Sequence, residues 1–129
     1  LFFQLKKKIK KKKIKIFNKE FKKKRKKYDT ILYLDVLEHI AFDNHSVFLN
    51  NLAKSISNKG VVIIGCPSLE SQEWASPQSK LGHISCMTQS KFRGTLLNHF
   101  KHAFMFSMND EVLHTGFDKL SHYIIGIAN

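Results

Sequence analysis

Glycine is missing from the first 59 residues of this 129-residue chain, and all six glycines stand at or after Gly60. No GxG occurs, so the sequence has no glycine-rich turn of the kind that lets backbone amides approach a nucleotide closely. Acids are scarce at the same end: Glu20 is the one acid among residues 1–27. Cysteine is limited to Cys66 and Cys86, which form no CxxC and no disulfide framework. They read as reduced thiols, one in or near a strand end and one in a loop. No apolar run approaches the ~18 residues of a membrane-spanning helix. Lysines interrupt the early apolar residues, so there is no continuous core of a secretory signal. These absences point to a cytoplasmic protein. Methionine does not open the chain; Leu1 does, which leads us to expect that it begins inside a longer reading frame.

What is present is charge, unevenly placed. The formal net charge is +12, yet residues 1–27 hold 15 of the 22 Lys and Arg. With one acid they carry +14, whereas seven bases and nine acids leave residues 28–129 at −2. The average therefore misrepresents both parts. Residues 1–27 read as a lysine-rich leader, partly disordered or holding a short strand. Lys13-Ile14-Lys15-Ile16-Phe17 alternates as a half-buried strand does, while Ile14, Phe17 and Phe21 also fit one face of a basic helix. Nucleic acid or anionic membrane could bind only through this leader.

Residues 28–129 carry an α/β pattern. Thr30–Leu34 is an uncharged, β-branched and aromatic run suited to a strand covered on both faces. Phe48, Leu52 and Ile56, with Leu49 and Ala53, form one apolar stripe of a helix over about 44–57. Asp43 or Asn44 is placed to cap its start, and Asn58-Lys59-Gly60 to stop it. Val61–Gly65 follows as a second buried strand, ended by Pro67. Residues 67–86 are polar and irregular, a long loop of the sort that often carries function. Thr88 caps a further helix, with Met87 and Phe92 as its hydrophobic staple and Phe92, Leu96 and Phe100 as its stripe. Residues 103–108 and 123–128 read as two strands with no helix between them, hence an antiparallel pair. The order is β-α-β-loop-α-β-β.

The polar residues with chemistry cluster at the end of the first strand: Asp35, Glu38 and His39. Ligands in open α/β sheets bind beyond the carboxyl ends of strands. His39 could act as a base near neutral pH; its alternative is a structural histidine, with Asp35 capping a turn. His83 lies in the long loop, placed either over a substrate or bonded to backbone. Trp74 and Glu73 share that loop, as part of a lid or an interface. The seven histidines show no HxH or HxxxH pair and no cysteine at ligand spacing, so no metal site is expected. Cys66 has no nameable base partner and is a poor nucleophile candidate.

Three segments together resemble a known family. YDTILYLDVLEHI (28–40), SNKGVVIIGCPS (57–68) and Gly82-His83 with MTQSKFRGTLLNHF (87–100) are similar, in this order, to the C-terminal half of class I S-adenosylmethionine-dependent methyltransferases. The branch resembled includes the ubiquinone- and menaquinone-pathway enzymes. The resemblance implies a truncated Rossmann-like fold ending in an antiparallel strand pair, and methyl transfer to a small-molecule acceptor. It implies S-adenosylmethionine as cofactor, held by Leu34, Asp35, Val36, Glu38 and His39, with His39 and His83 as catalytic candidates. The glycine-rich cofactor loop of that family is not in the sequence. The other reading is a nonenzymatic, methyltransferase-like remnant or interaction module whose basic leader binds nucleic acid or membrane. A nicotinamide-dependent oxidoreductase is disfavoured by the antiparallel pair. A missing neighbour beside the first strand would leave an exposed sheet edge, which predicts low solubility or an oligomer.

Overall fold

A computed structural model describes residues 27–129. Residues 1–26 of the leader, and with them the strand or helix expected over residues 13–21, lie outside the described residues. Among the described residues, five strands form one mixed sheet: β1 (Tyr28–Leu34), β2 (Ile56–Pro67), β3 (Ala103–Asn109), β4 (Val112–His114) and β5 (Tyr123–Ala128). Their order is β1-β2-β5-β3-β4. β1 and β2 are parallel, and every other pairing is antiparallel. The last strand in sequence thus sits between β2 and β3. β4 was not foreseen: it pairs through only Val112, Leu113 and His114, too short a run to stand out in the pattern.

Three α-helices among the described residues accompany the sheet: α1 (Phe42–Ala53), α2 (Pro77–Gly82) and α3 (Gln89–Leu97). Thr88 caps α3, its hydroxyl accepting from the Lys91 N–H at 3.3 Å. Met87 and Phe92 are both buried, as a staple requires. The expected cap of α1 is displaced. Ala41 occupies that position without a side-chain bond, and Asp43 lies inside the first turn, where its charge suits the helix dipole.

The Asn58-Lys59-Gly60 segment is not a helix stop. α1 ends at Ala53, and residues 56–60 already belong to β2. Tyr28 faces Ile56 but Thr30 faces Val61, so β2 bulges outward there. A Cβ on Gly60 would lie 2.7 Å from the Tyr28 carbonyl oxygen, which is why the bulge takes glycine.

Alternation along the paired strands separates two faces. Val62, Ile64 and Cys66 of β2 align with Ala128, Gly126 and Ile124 of β5. These join Ile31, Leu49, Leu52, Phe92, Leu96 and Phe100 in one core under α1 and α3. On the opposite face, register places Leu32, Ile63, Ile127 and Phe104 in one row across four strands. No described helix packs over that row, and Leu32 is 54% exposed. The strands are therefore covered on one face among the described residues, not on both as their continuous apolar runs predicted. No described helix is long and apolar enough to cross a membrane.

Two tests follow. A Cβ at Gly65 would meet the Tyr123 ring at 2.5 Å and Leu34 Cδ2 at 2.8 Å. Gly65→Ala is expected to cost about 1–3 kcal/mol through overpacking, read as a lowered urea midpoint. The open apolar row predicts concentration-dependent self-association in sedimentation velocity, reduced by Leu32→Lys. Equal association by the variant would refute a role for this face.

Candidate functional site

β1 ends where its chemistry begins. The Asp35 N–H still donates to the Gly65 carbonyl at 3.0 Å, prolonging the β1–β2 ladder by one bond. Asp35 then takes φ 56°, in the left-handed region. For a side chain other than glycine this costs energy, and short polar residues tolerate it best. The chain turns there into one 3-10 turn, Leu37–His39. Leu37 is buried and anchors the turn to the core.

The loop before α3 grips this turn from the other side. The Ser85 N–H donates to the Glu38 carbonyl at 3.1 Å. The Ser85 hydroxyl donates to the Leu37 carbonyl at 2.9 Å. His45, buried on α1, donates from Nε2 to the Ile40 carbonyl at 2.8 Å and lies 3.2 Å from Ser85 Oγ. The His39 ring donates from Nδ1 to the Gly82 carbonyl at 2.8 Å. A carbonyl can only accept, so Nδ1 carries the proton and Nε2 is the remaining ring nitrogen. That nitrogen lies 3.6 Å from Glu38 Oε1.

Glu38 is the least ordinary residue here. It is 1% exposed, and neither carboxylate oxygen has a hydrogen-bond partner. Burial pushes its carboxyl above the usual range, against smaller lowering effects from its own backbone and His39. Asp35, on the exposed side of the turn, adds a like charge that raises it further.

His83 completes the group. It follows α2, which Ser76 caps and Pro77 opens, so residues 67–86 are partly helical rather than one irregular loop. The His83 and His39 rings meet edge to face with centroids 5.1 Å apart. His83 Nδ1 is 2.8 Å from Gln72 Oε1. The Gln72 amide donates to the Ser68 carbonyl and approaches Ser71 Oγ, which turns its oxygen toward the histidine. Partial burial and the neighbouring His39 lower the His83 pKa. Trp74 is 84% exposed, and Glu73 is exposed beside it.

Of the sequence candidates, the fold brings Asp35, Glu38, His39 and His83 to one end of β1. Leu34 and Val36 flank Asp35 and are half-buried. Sequence reasoning missed Ser85, Gln72, His45 and Tyr123. His45 was findable, since it shares a helical face with Leu49 and Leu52. Tyr123 was not, because only the β2–β5 register brings it opposite Pro67. Its ring lies over Gly65. Its hydroxyl is shut off from solvent without a well-formed hydrogen bond, yet it feels the Asp35 carboxylate. Burial first, then that charge, push the phenol far above its ordinary value.

Cys66 and Cys86 are buried free thiols on the core side of this site. Burial, helped by the Glu38 charge, pushes Cys86 up to about 11 and Cys66 higher still. Neither is an activated nucleophile. Folding therefore holds these protons more tightly than the unfolded chain does. The stability they contribute is complete below the unfolded thiol value of about 8.5 and is lost as pH rises through the folded one. The urea midpoint is expected to fall between about pH 9 and 11, and a Cys66→Ala, Cys86→Ala double variant is expected to lose less over that interval.

No protein-family model matches the sequence, and no curated protein matches it. Solved structures do match the fold. One, from Nostoc punctiforme and described as a "putative O-methyltransferase", superposes with a TM-score of 0.53 at 15% identity. The match covers 79% of this chain and 32% of that one, so this chain spans about a third of that structure's length. At this identity the likeness carries the fold alone: residues of this chain adopt a mixed α/β, methyltransferase-like arrangement.

Proposed function

We propose that residues 28–129 form the C-terminal part of a Rossmann-like class I methyltransferase domain that transfers a methyl group from S-adenosylmethionine to a small-molecule acceptor. One observation carries this reading. The chain combines an antiparallel β5 inserted beside parallel β1 and β2 with an acidic and imidazole cluster at the carboxyl end of β1. The likeness to a methyltransferase structure supports the same fold.

The described residues fit one end of the cofactor. Its sulfonium and ammonium are cationic, and Asp35 and Glu38 supply negative charge at a strand end. Leu34, Asp35, Val36, Glu38 and His39 would hold that end. No described glycine has positive φ, and no GxG exists to bring backbone close to the adenosine. The cofactor, when bound, supplies the methyl group as an electrophile. The chain's own contribution is orientation, together with one basic nitrogen. His39 is held by the Gly82 carbonyl so that Nε2 faces the cluster, the atom that would take up a proton from the methyl acceptor.

Calorimetry of the full chain with S-adenosylmethionine tests this. Saturable binding is expected, weakened about tenfold or more by Asp35→Ala, the loss of one charge-assisted contact. The absence of saturable binding would leave a methyltransferase-like fold without this activity in the chain.

A further inference from the structure

Glu38, His39 and His83 each offer one ligand atom, and these atoms lie within 4.8 Å of one another. We propose that the three residues bind a divalent transition-metal ion of the zinc class. This goes beyond the methyltransferase reading, with which it shares Glu38 and His39; metal binding is measured with neither cofactor nor acceptor, so the two readings fail separately.

Three features carry the inference. Glu38 is almost wholly buried with both carboxylate oxygens unpartnered, and its nearest basic atom is His39 Nε2 at 3.6 Å. A buried carboxylate ordinarily finds hydrogen bonds, a counter-ion or a metal. Here hydrogen bonds are lacking and the histidine stands beyond bonding distance. Next, both imidazoles are oriented through Nδ1. His39 donates to the Gly82 carbonyl, and His83 faces the Gln72 amide oxygen, itself fixed by the amide's bond to the Ser68 carbonyl. Metal-bound histidines are held in this way, the second nitrogen remaining for the ion. Finally, two imidazoles and a carboxylate are a donor set that zinc and related ions favour, with a position left for water or a ligand oxygen.

The geometry needs modest closure. Bonds of about 2.0–2.1 Å in a tetrahedral site put ligand atoms about 3.3 Å apart. The Glu38–His39 pair is already near that spacing. His39 has a 49% exposed side chain and His83 is partly exposed, so small shifts of the two side chains can bring both inward without disturbing the core. Linear spacing concealed the set: His83 lies 44 positions after His39, beyond any local histidine motif.

The test uses the full chain, stripped with a chelator. Zinc titration by calorimetry should show one site, and cobalt(II) should develop the visible absorption of a low-symmetry, four- or five-coordinate ion. Glu38→Gln and His83→Ala, checked for folding by circular dichroism, should each weaken zinc binding by at least about 100-fold, since even outer-shell partners change affinity 10–100-fold. His102→Ala, away from the cluster, should bind as the parent does. Failure of the parent to bind zinc or cobalt stoichiometrically would overturn the proposal. So would retention of tight binding by a folded Glu38→Gln or His83→Ala protein.

Discussion

β2 depends on two registers at once, and the rest of the structure depends on β2. Parallel pairing with β1 sets Leu34 against Gly65, and antiparallel pairing with β5 sets Cys66 against Ile124 and Pro67 against Tyr123. A one-residue slip on either side would exchange the two faces. Val62, Ile64 and Cys66 would then leave the core under α1 and α3. The same registers bring the Leu34 side chain and the Tyr123 ring against Gly65, whose missing side chain makes room for them.

The site is fastened to this sheet rather than carried on a free loop. Leu37 buries one side of the 3-10 turn, while Ser85 and His45 satisfy the Leu37, Glu38 and Ile40 backbone groups. A turn held from the core and from the loop before α3 can keep a costly feature. Here there are two: a left-handed Asp35 and a buried, unpartnered Glu38. Such local cost is tolerated where the surroundings overdetermine the backbone. Its position at the carboxyl end of β1 is where α/β sheets place ligands.

The sheet itself is lopsided. One face is packed by two helices; the other shows an apolar row from Leu32 to Phe104 that no described residue covers with a helix. Burying apolar area is the main favourable term in folding. An uncovered row is a surface with an unspent drive to associate, which connects the strand composition of the chain to its expected behaviour in solution.

Much of this was legible in the sequence. Apolar runs gave β1, β2, β3 and β5; the Phe92-Leu96-Phe100 stripe with Thr88 gave α3; the lack of a helical pattern between the last two strands gave their antiparallel pairing. Periodicity reports which residues want burial, and these elements are long enough to show it. The break in polarity after Leu34 marked Asp35, Glu38 and His39 as candidates, because charge at a strand end is a local signal. The β2 bulge, the short β4 and the helical part of residues 67–86 were not legible, since each is set by neighbours rather than by its own pattern. Only the tertiary structure decided that Glu38 is buried while His39 is exposed, and that His83 comes back to meet them. Chain order fixes who is adjacent along the backbone, whereas strand register and the Ser85 contacts fix which side chains share a site.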